Sequence, residues 1–311
     1  MAIARGCMIN GWIILDKPIG IGSTPCVSAV KRALREAGEP RTRVGHGGTL
    51  DPLASGVLPI AIGEATKLAG HMLDATKAYD FTIAFGTQTD TLDLEGEVVA
   101  TGDVRPTLAE VEAVLPHFTG PIEQIPPAFS ALKVDGKRAY DLARAGEIVE
   151  MKARSVTVHA LSLRFRGNDG GAVRAAKLET ITLSATVSKG TYIRSLARDI
   201  ALACGTVGHV AMLRRTRAGP FGLDHAISLD FLDHAAKART LDGAVLPLTA
   251  GLDDIPALPV DPDQARLLRH GQRLADFPAA PGLYLATDDH RPVALVEVSA
   301  GDLRVVRGFN L

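Results

Sequence analysis

Apolar and polar residues recur along this chain with two periods, and the change from one to the other predicts its elements. Residues 11–18 (GWIILDKP) form a short apolar run closed by proline and read as a strand. After Ser23-Thr24-Pro25, a cap followed by proline in the first turn, Val27, Val30 and Leu34 fall on one helical face, and Gly38 supplies the stop. The apolar run 57–62 predicts a second strand, followed by a short helical stretch from Glu64. Farther on, Tyr79, Phe81, Ile83 and Phe85 alternate with Asp80, Thr82 and Ala84, the period-two pattern of a half-buried strand. A turn at Glu95-Gly96 suggests a hairpin partner in 97–101, and Thr107 with Glu110 has the spacing of a capping box opening a helix through Leu115. The proline-bearing segment 121–149 predicts an excursion with one short helix and no sheet. Alternation resumes over 155–165 and 178–187, and then Leu196, Ile200 and Ala203 share a helical face.

Strands and helices mix here without regular βαβ alternation, and several neighbours look like hairpins. The expected fold class is α+β, a mixed, mostly antiparallel central sheet flanked by helices and loops. From about Thr240 the composition shifts: 251–264 (GLDDIPALPVDPDQ) looks like a linker, and 283–285, 293–298 and 303–306 predict short strands. A large domain over 1–245 and a small β-rich one over 251–311 are therefore expected.

At 311 residues, 46% hydrophobic and 22% charged, the chain is an ordinary globular sequence with a sizeable core. Cys7, Cys26 and Cys204 have no paired spacing, which argues against a disulfide framework or a thiol metal site. The N-terminal apolar stretch is broken by Asn10 and followed by Asp16-Lys17, so it lacks a signal core, and no run approaches the roughly 18 residues of a membrane span. A cytoplasmic protein without membrane partners is expected. The net charge of −1 speaks against a nucleic-acid partner, yet the charges are segregated. Residues 80–124 hold nine acids and one base, whereas 189–217 hold six bases and Asp199, and 31–43 hold five bases and two acids. Such a distribution fits either one basic face or ordinary solvated surface.

The densest candidate for chemistry is GHGGTLDPLASG, residues 45–56. A phosphate cradle fails, because both glycine-rich patterns need Gly where Leu50 stands and no Lys-Ser/Thr pair follows. His46 and Asp51 are too few for a metal, and Ser55 does not sit in a nucleophile elbow. What remains is a single carboxylate, Asp51, stiffened by Pro52, or an aspartate that merely caps a turn. Tyr79 opens a strand and is either a core aromatic or part of a site. Tyr192 and Arg194 lie where a glycine turn enters a helix, and are either surface residues or site residues.

Taken together, LDKPIG (15–20), GHGGTLDPLASGVLPIAIGEATK (45–67), KAYDF (77–81), GTQTDTLDLEG (86–96), IPPAFSALKVDGKRAYDLARAG (125–146), SKGTYIRSLARDI (188–200) and HVAMLRR (209–215) resemble the bacterial tRNA pseudouridine-55 synthases. The resemblance covers nearly all of 10–230 in the family's order. It implies isomerisation of uridine to pseudouridine at position 55 in the tRNA T-loop, with the T-arm as partner, no metal or other cofactor, and a monomeric enzyme. It makes Asp51 the catalytic aspartate, acting as nucleophile or electrostatic stabiliser. Tyr79 becomes a stacking platform for the flipped uracil, Arg194 the partner that keeps Asp51 ionised and oriented, Tyr192 a proton-transfer group and Leu213 an apolar pocket wall. His46 matches a residue contacting RNA near the flipped nucleotide. Lys67 matches a substrate-binding lysine, with a structural salt bridge as the alternative. The segment 121–154 corresponds to an RNA-gripping insertion, and 251–311 more weakly to a PUA-like RNA-binding domain. Gly47, where many relatives carry threonine, and Gly22 depart from the pattern. An RNA-binding or tRNA-folding protein with secondary isomerase activity is the alternative function.

Overall fold

The computed structural model describes residues 9–130, 132–134, 136–147, 149–164 and 176–311; Cys7 and Phe165 of the expected segments lie outside them. The chain opens with β1 (Gly11–Lys17), α1 (Ser23–Glu36), β2 (Val44–His46) and β3 (Ala54–Ile62). Then follow α2 (Ala69–Asp74), β4 (Lys77–Phe85), the hairpin β5 (Thr87–Thr89) and β6 (Val98–Thr101), α3 (Leu108–Val114) and β7 (Gly120–Gln124). A two-residue hairpin, β8 (Lys133–Val134) and β9 (Lys137–Arg138), leads to α4 (Ala139–Arg144), β10 (Arg154–Leu163) and β11 (Thr180–Val187). The large unit ends with α5 (Ile193–Ala203), β12 (Gly208–Ala218), β13 (Phe221–Gly222), α6 (Leu229–Ala238) and β14 (Leu246–Pro247). Last come β15 (Ala257–Pro259), α7 (Pro262–Arg269), β16 (Gly282–Asp288), β17 (Arg291–Ser299) and β18 (Asp302–Gly308).

Ten strands form the main sheet, in the order β14-β1-β3-β12-β4-β11-β10-β7, with β2 on β3 and β13 on β12. Every pairing is antiparallel except β3 with β12, so the fold is the mixed, mostly antiparallel α+β arrangement expected. Strands β1 over residues 11–15 and β3 over residues 56–62 carry unbroken runs without polar side chains because both of their faces are covered. Ile13, Leu15, Leu58 and Ile60 pack with Val30 and Leu34 of α1 and Leu232 of α6, whereas Trp12, Ile14, Val57 and Ala61 face Leu285, Leu295 and Phe309 of the C-terminal sheet. At the other end of the sheet Phe81, Ile83 and Leu183 pack with Leu196, Ala197 and Ile200 of α5. The capping box of Thr107 and Glu110 is formed in both directions.

Four expectations need correction. Ser23 is not the cap of α1; Gly22 holds that position, and the Ser23 hydroxyl is engaged by Leu50 instead. Ala203 faces solvent, because α5 turns its buried stripe through Ile193, Leu196, Ala197 and Ile200. The segment 121–149 does contribute to the sheet: β7 pairs with β10, and Pro121 is tolerated because β7 is the edge strand. The stretch 251–264 is no free linker, since Leu252 and Ile255 are buried beside Trp12 and β15 joins the four-stranded sheet β15-β16-β17-β18.

Candidate active site

The antiparallel pair β2 and β3 sets His46 opposite Ile60, and the intervening loop carries Asp51. Its carbonyls are turned inward, and each needs a donor once it leaves water. Arg215, 1% exposed, donates from Nε to Val57 O at 2.7 Å, from Nη1 to Thr49 O at 3.3 Å and from Nη2 to Gly48 O at 3.1 Å. The Ser23 hydroxyl donates to Leu50 O at 3.1 Å and accepts from Leu50 N–H at 2.8 Å. Lys17 is buried beneath the loop and donates to Pro52 O at 3.2 Å and Ile21 O at 2.7 Å; burial pushes its ammonium below the usual lysine range. The residues on both sides of Asp51 are therefore fixed by side chains from β1, α1 and β12.

The carboxylate itself is held by α5. Arg194 Nη2 lies 3.0 Å from Asp51 Oδ2, and the Arg194 side chain is only 7% exposed while that of Asp51 is 41% exposed. The pair thus has a buried cation and a carboxylate open to an incoming molecule. Arg194 is positioned in turn by Asp93, whose Oδ2 lies 3.4 Å from Nη1, and by the carbonyls of Thr91 at 2.7 Å and Phe129 at 3.0 Å. Asp93 accepts from the Thr91 hydroxyl at 2.6 Å and from Glu95 N–H at 3.0 Å, so the acidic loop after β5 is folded around it. With carboxylates on both terminal guanidinium nitrogens, the buried charge of Arg194 is compensated and its fork is fixed in direction.

A cleft of about 340 Å³ opens over this pair and is lined by Asp51, Tyr79, Tyr192, Arg194 and Leu213, five of the seven residues singled out in the sequence. The register explains the gathering: Tyr79 is opposite Arg215 and Ala185, and Leu213 is paired with both Phe81 and Ala54. Burial raises the pKa of the Tyr192 phenol. Lys77, on the cleft floor, donates to the carbonyls of Met72, Leu73 and Ala75 at the end of α2. Burial, then the neighbouring Arg215, bring its pKa down to about 8. His46 stands two residues before the cleft-lining Gly48, its imidazole held below the usual histidine range by burial and by Arg215. Lys67 is elsewhere, 2.7 Å from Glu64 and donating to Gly308 O at 2.8 Å, at the seam with the C-terminal sheet. Among the described residues no group of three or more His, Cys, Asp or Glu side chains is gathered to hold a metal ion.

Sequence reasoning missed Arg215, Asp93 and Lys77 as parts of this assembly. Arg215 lay in a run of bases that reads as surface, and Asp93 in a run of acids; Arg194 and Arg215 are in fact interior. The glycines of the loop also have a packing explanation. A Cβ on Gly47 would come within 2.5 Å of Met72 Cγ, and one on Gly56, at φ +99°, would strike Arg215 O.

Comparison with known proteins places the chain among the pseudouridylate synthases. Residues 31–193 match the TruB family pseudouridylate synthase (N terminal domain), and residues 194–253 match the tRNA pseudouridylate synthase B C-terminal domain. The chain belongs to the TruB family of pseudouridylate synthases. It is 62% identical over 304 residues to the tRNA pseudouridine synthase B of Novosphingobium aromaticivorans, covering 98% of each chain. It is 57% identical over 302 residues to the protein of that name from Zymomonas mobilis, covering 97% of this chain and 96% of the relative. Among solved structures it resembles a chain of a Cbf5-Nop10-Gar1 complex, with a TM-score of 0.71 and 25% identity over 96% of this chain and 85% of the other.

Proposed function

We propose that the protein isomerises uridine to pseudouridine in tRNA, at position 55 of the T-loop, with Asp51 as the catalytic carboxylate. The observation that carries this reading is the half-exposed Asp51 carboxylate, held by the buried Arg194 in a cleft shared with Tyr79, Tyr192 and Leu213. The reaction breaks the bond from N1 to C1′, turns the uracil and joins C5 to C1′; the C5 proton leaves and N1 regains one, so no net redox change occurs. One fixed carboxylate suffices to meet the developing charge at C1′, as nucleophile or as stabiliser.

A base inside a folded loop must leave its stack to reach such a cleft. Tyr79 offers it a stacking face, worth about 1–3 kcal/mol by the usual measure of base–aromatic contacts. Tyr192, whose phenol burial keeps protonated, serves the proton transfer, and Leu213 closes the apolar side. His46, neutral in its buried site, contacts RNA beside the extruded nucleotide. We read Lys67 as a seam residue with Glu64 and Gly308, and the β15–β18 sheet as a small RNA-binding unit of the PUA-like kind. One chain supplies every cleft residue, which fits a monomeric enzyme on the T-arm, working in the cytoplasm. The curated relatives named tRNA pseudouridine synthase B support the RNA class.

The test is release of tritium from tRNA labelled at uridine C5, with the modified position mapped by carbodiimide labelling and primer extension. Wild-type protein releases tritium and marks position 55, and Asp51→Asn reduces the rate by at least about a thousandfold, the scale for loss of a catalytic group. Undiminished release by Asp51→Asn would sink the reading.

A further inference from the structure

Gln124 is the last residue of β7, lies 1% exposed, and directs its carboxamide at a main chain 68 residues away. Its Nε2 donates to Tyr192 O at 3.1 Å, and its Oε1 accepts from Tyr192 N–H at 2.8 Å. The side chain thus pairs with both polar groups of one residue, as a neighbouring strand would.

Tyr192 is the N-cap residue of α5, in extended conformation at φ −99° and ψ 112°, and its side chain makes no capping hydrogen bond. Its carbonyl also accepts the first helical bond, from Leu196 N–H at 3.0 Å. With both groups of the cap taken by Gln124, the start of α5 is tied to the sheet, because Gln124 is itself in register with Arg154 of β10. Two residues on, Arg194 reaches Asp51. The chain just after Gln124 is fastened to the same helix turn: Ser195 Oγ donates to Ile125 O at 2.8 Å, and Arg194 Nη2 donates to Phe129 O.

We infer that Gln124 is a positioning residue for the isomerisation: its two-point clamp on Tyr192 sets the cleft-facing tyrosine and the helix turn from which Arg194 holds Asp51. This inference rests on the reading of Asp51, Tyr192 and Arg194 given above. Nothing in the contacts of Gln124 addresses a ligand directly, so the expected signature is a loss of rate with little loss of RNA binding.

Two substitutions divide the possibilities. Gln124→Met keeps length and apolar bulk but removes both hydrogen bonds. Gln124→Glu restores both when its carboxyl is protonated, one oxygen accepting and the O–H donating, and loses the donor when ionised. The charged residue across the strand is Arg154, and Arg194, two residues beyond the clamped Tyr192, is already matched by Asp51 and Asp93.

For Gln124→Met the single-turnover rate on tRNA is expected to fall about 10- to 100-fold, the scale of lost outer-sphere positioning, with RNA affinity within about threefold of wild type. The Tyr192 amide should lose its hydrogen-exchange protection. For Gln124→Glu the rate relative to wild type should rise at least about threefold as pH falls from about 8 to about 5.5, as the buried acid regains its proton. A Gln124→Met rate within about twofold of wild type overturns the inference. So does a folded Gln124→Glu variant whose rate stays within about twofold of wild type from about pH 5.5 to about 8, which remains decisive if the methionine variant does not fold. A profile flat at a reduced rate means that the acid stays ionised near Arg154 and the donor stays lost, as the inference expects. Wild type and Asp51→Asn assayed in parallel separate failure of this inference from failure of the site reading, in which wild type forms no pseudouridine or Asp51→Asn forms it undiminished.

Discussion

Lys17, Lys77 and Arg215 are cations in the interior, and each donates to main-chain carbonyls of the loop and helix end that frame the cleft. A charge removed from water costs several kcal/mol unless its donors are all matched, and these three meet a cluster of inward carbonyls. Lys77 makes the cost measurable. Its folded-state pKa is lowered from 10.5 to about 8, so between those values the unfolded chain binds more protons than the native one. Stability attributable to Lys77 must then increase with pH across that window, while below about 8 both states are charged and the full penalty applies. Chemical denaturation of wild type and Lys77→Met at several pH values should therefore show wild type gaining on the variant from about pH 8 to about 10.5. A difference that stays constant or shrinks over that range excludes a depressed lysine. Asp93 is the acidic counterpart: its role is to hold Arg194, and its own hydrogen bonds to Thr91 and Glu95 keep it in place for that.

At the scale of elements, the Asp51 loop is held against α2 as well as by the cations. Gly47 lies over Met72, with Cβ-to-Cβ clearance of 2.9 Å for any side chain placed there, and Trp12 behind it. Threonine at this position requires a smaller or displaced neighbour in place of Met72. Gly47→Thr should lower stability by about 1–3 kcal/mol, the usual cost of overpacking a filled core. Combined with Met72→Ala, the loss should be smaller than the sum of the two single changes, because the cavity left by methionine accepts the threonine. Additive losses in denaturant titrations would show that the two positions do not share that space. Much of this level was legible in the sequence. The runs in β1 and β3 were legible as strands because both faces are buried, the alternation in β4 because one face is more buried than the other, and Thr107 with Glu110 was legible down to its hydrogen bonds. Asp51, Tyr79, Tyr192 and Arg194 came from motifs, and their convergence follows from the pairing of β3, β4 and β12. What stayed hidden depends on distant partners. Arg215 is a base among bases until β12 lies beside the loop, Gln124 is one polar residue before two prolines, and β7 is a strand only because β10 pairs with it.

For the whole molecule, the two sheets share one apolar cluster. Trp12, Leu68 and Met72 of the large unit pack with Leu252, Ile255, Leu285, Leu295 and Phe309, and the Trp12 indole N–H donates to Leu248 O at 3.1 Å. Around this cluster, Lys67 donates to Gly308 O, Glu64 accepts from Asn310 N–H at 2.8 Å, and His71 lies 3.0 Å from Asp254. Met72 is also the residue against Gly47, so the seam and the Asp51 loop share one side chain. Removing the small sheet would leave five large side chains fewer around Trp12, and burial of each is worth about 1.5–3 kcal/mol. Together that is comparable to the whole stability of a typical domain, about 5–15 kcal/mol, so the two units should not melt separately. Trp12 is the single tryptophan of the chain and lies in the seam, which makes its fluorescence a direct report on it. Thermal or urea unfolding followed by Trp12 emission should coincide with unfolding followed by far-ultraviolet circular dichroism, in one transition. A chain ending at residue 251 should lose the native Trp12 spectrum and unfold at lower denaturant. Two separated transitions in the full chain, or an unchanged Trp12 spectrum in the shortened one, would mean that the seam carries little of the stability and that the catalytic unit stands without it.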